Sequence, residues 1–135
     1  MSLSAVLALR KAIRARLADD SELMQHVAGV FDEPPGHVSY PYVVFGDAQA
    51  RDWSAALAPG VEQFVVLHVW TTQRGLAEAL GIAERVADLL DEAPLAVDGH
   101  RLIDLRFLSL ETRRDAAGRF ARASLRFRAT LESLE

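Results

Sequence analysis

The sequence predicts an α+β fold, a mostly antiparallel mixed sheet of about four to six strands with two main helices packed against it. Three observations carry this. Two stretches place apolar residues at helical spacing, several shorter ones alternate as strands do, and only one helix is long enough to cross over between parallel strands.

The first helix is expected from about Ser4 to Leu17, where Val6, Leu9, Ile13 and Leu17 make one apolar stripe and Arg10, Lys11, Arg14 and Arg16 fall mostly off it. Asp19-Asp-Ser21 stops it and starts a short turn through Leu23, Met24 and Val27, which ends at Gly29. Val30-Phe31 reads as a short strand closed by Pro34-Pro-Gly36, and Tyr42-Val-Val-Phe45 as a second strand. Ala48 to Gly60 reads as a long connection. Glu62 to Thr71 is the strongest strand. Phe64, Val66 and Trp70 point one way and Val65, Leu67 and Val69 the other, as expected of a central strand.

A second helix is expected from about Arg74 to Asp91. Leu76, Ala79, Leu80, Ala83, Ala87 and Leu90 form its apolar face, and Pro94 stops it. Asp98-Gly99 reads as a tight turn. A long hairpin follows, with strands from about His100 to Arg113 and from about Phe120 to Leu131, joined at Asp115-Ala-Ala-Gly118. In its last strand Ala121, Ala123, Leu125, Phe127, Ala129 and Leu131 share a face, and Arg122, Ser124, Arg126, Arg128 and Thr130 take the other. The apolar phase of the preceding strand slips by one residue, which predicts a β-bulge near Phe107–Leu108.

The 135 residues suit a single domain, 1–135, with 50% hydrophobic and 25% charged residues and no cysteine. A chain of this size buries roughly two-thirds of its unfolded surface, so its core needs neither metal nor disulfide. The N-terminal apolar run is short and precedes its charges, the wrong order for a secretory signal. No stretch approaches the ~18 apolar residues that span a bilayer. These features lead us to expect a soluble, cytoplasmically made protein with no membrane partner.

The net charge of −4 argues against nonspecific nucleic-acid binding by the whole surface. Its distribution is uneven. Residues 99–131 hold eight arginines against three acidic residues, a balance of +5, while the remainder holds seven basic and sixteen acidic residues, a balance of −9.

Little in the chain supports catalysis. There is no cysteine nucleophile, no Gly-x-Ser-x-Gly elbow, no phosphate-binding glycine loop and no His-Glu-x-x-His. His26, His37, His68 and His100 lack metal-ligand spacing, and His68 reads as a packed or hydrogen-bonded histidine. Glu111 and Asp115 sit beside Arg113 and Arg114, which favours surface ion pairing over acid–base work. No catalytic, cofactor-binding or metal-binding residue is therefore assigned.

The interface candidates are Arg51, Asp52 and Trp53 in the long connection and Arg122, Arg126 and Arg128 in the last strand. Three readings of the arginine face stay open: a solvated face, a surface that meets another protein, and phosphate binding. Trp53 either caps the core or anchors a partner.

Several segments in order resemble the phage tail-terminator family, also called tail-completion or head-to-tail joining proteins, including members from gene transfer agents. They are Tyr40-Pro-Tyr-Val-Val-Phe-Gly46, Arg51-Asp-Trp-Ser54, Leu67-His-Val-Trp70, Arg74-Gly-Leu-Ala-Glu-Ala-Leu80, Gly99-His-Arg-Leu-Ile103, Glu111-Thr-Arg-Arg-Asp-Ala-Ala-Gly118 and Leu125-Arg-Phe-Arg128. Together they span nearly the whole chain. The resemblance implies a structural ring subunit, with a hexamer expected, at the head-proximal end of a tail tube. Such a ring stops tube polymerisation and joins the tail to the head connector. The implied partners are other copies of the chain, the tail tube protein and the head–tail connector protein, with DNA only passing through the lumen. The implied location is the bacterial cytoplasm during assembly and then the phage-like particle. No cofactor or catalytic residue comes with the family. The alternative is a small oligomeric binding or regulatory module without catalysis.

Overall fold

The computed structural model describes residues 3–37, 39–54, 58–72 and 75–134. Its elements are α1 (Ser4–Ala18), α2 (Ser21–Met24), β1 (Val30–Phe31), β2 (Tyr42–Phe45), β3 (Gln49–Asp52), β4 (Gly60–Thr71), α3 (Ala77–Leu90), β5 (His100–Arg114) and β6 (Ala121–Ser133). The fold is α+β, with an open mixed sheet of six strands in the order β1-β2-β4-β6-β5, and β3 paired to β4 alongside β2. Among the described residues only the β1–β2 pair is parallel.

Both long helices lie on one face of the sheet. In β4 the odd-numbered residues Val61, Val65, Leu67 and Val69 enter the core beneath the helices, as do Ala123, Leu125, Phe127 and Leu131 of β6. The even-numbered residues of both strands form the opposite face, which no helix covers. β4 is central, as its two apolar faces predicted, with β2 and β3 on one side and β6 on the other.

The buried stripe of α1 is Ala5, Leu9, Ile13 and Leu17, so Ala5 takes the place predicted for Val6. Fully burying each of the larger three stabilises the fold by about 1.5–3 kcal/mol. The basic residues beside the stripe also anchor the helix. Arg14 Nε donates to Val30 O at 2.9 Å, and Arg16 Nε donates to Leu89 O at 3.0 Å, at the carbonyl-rich end of α3. Arg10 reaches Gly46 O at 3.2 Å and lies over the Phe45 ring. From the sheet, Gln63 Nε2 donates to Ala5 O at 3.0 Å.

Two expectations need correction. The predicted connection from Ala48 to Gly60 contains strand β3. Pairing passes from Phe45↔Leu67 to Gln49↔Phe64, four steps on one side against three on the other. β2 and β3 are thus one strand interrupted by an extra residue after Gly46. β3 escaped the sequence pattern because Gln49, Arg51 and Asp52 are polar and exposed at a sheet edge, where no apolar alternation is required. The second correction concerns α3. It begins at Ala77, Arg74 lies outside the described residues, and its buried face is Ala79, Ile82, Ala83, Val86, Leu89 and Leu90. Leu80, which the spacing places on the apolar face, is exposed.

The bulge predicted near Phe107–Leu108 is present, and a second lies between Leu102 and Asp104. Gly99 takes φ +75° in the predicted Asp98-Gly99 turn, a conformation that suits glycine.

Asp20 ties α2 to α3. Its carboxylate accepts from Leu23 N at 2.9 Å as an N-cap and from Arg85 at 2.9 and 2.7 Å. The Arg85 hydrogen bond, then the Leu23 N–H, lower its pKa from 3.8 to about 2. A carboxyl depressed on folding stabilises the protein above its unfolded pKa and loses that contribution as pH falls through the folded value. The urea midpoint of the wild type should therefore fall between about pH 4 and pH 2 by more than that of Asp20→Asn. Parallel curves for the two proteins would refute the role given to Asp20.

Candidate functional site

The uncovered sheet face brings together most of the residues singled out from sequence. On it β4 and β6 pair directly as Glu62↔Thr130, Phe64↔Arg128, Val66↔Arg126, His68↔Ser124 and Trp70↔Arg122. Two arginines of β6, Arg122 and Arg126, lie against aromatic rings supplied by β4. The Arg126 guanidinium sits 4.3 Å from the Phe64 ring centroid, and that of Arg122 sits 5.5 Å from Trp70. Arg51 projects onto the same face from β3, 6.0 Å from the Phe64 centroid.

The centre of this arrangement is Glu62, which sequence reasoning did not single out. Only 3% exposed, its carboxylate is bridged by Arg51 on one side and Arg128 on the other. The two candidate groups, the predicted connection and the last strand, meet here. The Arg51 hydrogen bond, then that of Arg128, hold the Glu62 carboxyl below its usual range, against the opposing effect of burial. The missed signal was the lone acid at the start of an apolar strand: a charge at a central-strand position requires a partner.

Asp52 and Trp53 do not join this cluster. Asp52 Oδ1 accepts from Ser54 Oγ at 3.0 Å. Trp53 is half-buried, its backbone N–H donates to Gly60 O at 3.0 Å, and its ring packs close to Gly60.

His68 is half-buried, with Nδ1 2.7 Å from Ser124 Oγ. Burial and then the charge of Arg122 lower its pKa, and Asp47 opposes them. It is packed and hydrogen-bonded, as predicted. The pair is poorly suited to nucleophilic catalysis. β6 is paired along both edges, so the backbone N–H groups around Ser124 are engaged in ladders and leave no donor pair aimed at an oxyanion. Among the described residues no three His, Cys, Asp or Glu side chains cluster as a metal site, and no helix is long and apolar enough to cross a membrane.

The same face is electrostatically one-sided. On β5, Arg113 lies directly opposite Arg122, and Arg106 opposite Arg128. Like charges facing each other across strands are unfavourable unless anions reach them. Glu62 serves Arg128, and Asp104 serves Arg106 at 3.1 Å. The predicted basic balance of residues 99–131 thus lies largely on this face. Reversing both Arg122 and Arg126 to Glu removes two cation–π contacts, so we expect a stability loss of about 0.5–1 kcal/mol for each with the fold retained. Chemical denaturation checks this, and a loss of native circular dichroism would contradict it.

The chain matches the family described as tail completion protein gp17 over residues 11–132. It is similar to a chain of the virion of a native gene transfer agent particle, with 33% identity and a TM-score of 0.89, over 98% of this chain and 100% of that one. It is also similar to the gp17 protein of bacteriophage SPP1, with 29% identity and a TM-score of 0.65, over 96% and 91% of the two chains. No curated protein matches it. The match along nearly the whole chain places it in the tail completion protein gp17 family, as a structural protein and not an enzyme.

Proposed function

We propose that the chain acts, as one domain, as a ring subunit that caps the head-proximal end of a phage-like tail tube. The ring stops tube polymerisation and joins the tail to the head connector. The observation that carries this reading is the near full-length similarity to a chain of a gene transfer agent virion. The charge asymmetry supports it, because a closed ring joins one patch to a different patch on the next copy, and opposite charges favour that pairing over like-to-like contact.

In this reading six copies surround a lumen through which DNA passes, and no cofactor takes part. The open face carrying Arg51, Arg122, Arg126 and Arg128 docks on an acidic neighbour, the tail tube protein or the head connector. Asp52 and Trp53 lie at the edge of that contact. The protein acts in the bacterial cytoplasm during assembly and remains in the particle.

Deleting the gene tests this. The proposal expects free heads together with tails of uncontrolled length, restored by supplying the wild-type chain. Joined particles with tails of normal length in its absence would refute it.

A further inference from the structure

Among the described residues, the exposed large apolar side chains other than Leu134, just after β6, fall into two groups. Leu80, Ile103, Phe107, Leu108 and Leu110 lie on α3 and the edge strand β5, whereas Leu3 and Leu7 lie at the start of α1. Leu80, Phe107 and Leu110 of the first group line a groove of about 280 Å³ between α3 and β5, with Glu84 and Ala87 beside them. Leu80 is 37% exposed and Leu110 43%. Edge strands with exposed apolar residues are ordinarily shielded, and this one is shielded only in part. The end of α3 covers it as far as Phe107: Glu92 N donates to Leu105 O at 2.8 Å, and Asp91 Oδ1 accepts from Phe107 N at 2.9 Å. Beyond that point Leu108 to Arg114 stay exposed.

The second group has the form that such a groove accepts. Leu3, Leu7 and Lys11 recur at four-residue spacing along the outer side of α1, and Leu7 is 55% exposed. A helix docks in a groove through anchors at this spacing. The charges also match, because exposed Glu84 borders the groove and exposed Lys11, the chain's single lysine, extends the stripe. Groove and stripe lie on different elements of the helical layer, the one between α3 and β5 and the other along α1. Two unlike patches that meet produce a heterologous contact, the kind that closes rings.

We propose that the groove between α3 and β5 receives the outer face of α1 from a second copy of this chain. Leu3 and Leu7 enter beside Leu80, Phe107 and Leu110, and Lys11 pairs with Glu84. This inference rests on the ring reading and specifies the contact within it.

The natural chain has no cysteine, so an engineered pair reports the contact cleanly. The double variant Leu7→Cys, Leu80→Cys is made in cells that assemble particles, and purified particles are oxidised and run without reductant. The proposal expects a covalent ladder reaching the full ring, and at most dimers from either single variant. In parallel, Lys11→Glu and Glu84→Lys should each lower the yield of joined particles about 10-fold, and combining them should restore it. A ring layer visible at the tail end without the ladder, and without rescue by the double reversal, would overturn the contact and leave the ring reading intact. Joined particles with normal tails after deletion of the gene would instead overturn the ring reading, and this inference with it.

Discussion

Phe127→Ala should destabilise the protein by about 3–5 kcal/mol, the largest loss expected from a single truncation here. Phe127 is fully buried and is the largest of the fully buried side chains. It sits on β6 between Val65 of β4 and Phe107 of β5, with the Phe107 ring edge-on at 5.8 Å. A sheet paired on both sides cannot collapse into the space left behind, so the cavity term adds to the lost transfer energy. A domain of this size holds roughly 5–15 kcal/mol in total, so the variant should melt about 10 °C or more below the wild type. Calorimetry on the two proteins decides this. A shift of a degree or two would mean that the sheet relaxes around the site.

Gly60→Ala should cost about 2–3 kcal/mol, although it adds one methyl group. A Cβ at this position would lie 2.2 Å from Trp53 O and 2.9 Å from Leu131 O. Both obstacles are backbone atoms, on the two sides of β4. Neither can withdraw without breaking pairing at the start of β4, where Gly60 faces Glu132 and Trp53 N donates to Gly60 O. Gly60 is therefore required for close approach and not for an unusual φ. Urea unfolding of Gly60→Ala checks the magnitude. A midpoint equal to the wild type would mean that the segment carrying Trp53 yields easily.

These positions also mark what the sequence could and could not convey. Helical stripes and strand alternation are local, so α1, α3, β4, β6 and the bulge after Phe107 were legible. Register is not local. Nothing near Arg122 or Arg126 in sequence indicates that β4 sets Trp70 and Phe64 beneath them, or that Arg51 and Arg128 share Glu62. β3 was read as connection because an edge strand with polar side chains lacks the alternation that burial imposes. Leu80 falls on the predicted apolar face for the opposite reason. Its spacing matches the buried face of α3, and periodicity does not distinguish a side chain that meets its own core from one left exposed. The resemblance to tail-completion proteins depended on the order of several short segments along the chain. Periodicity alone would have yielded only a small α+β domain.

The central claim is that this chain caps the tail, and its position in the particle tests that most directly. Electron cryo-microscopy of intact particles carrying a small tag on the chain's C-terminus measures it. The account predicts a single ring of copies at the junction between head and tail. Tag density repeated along the tube, or absent from that junction, would contradict it.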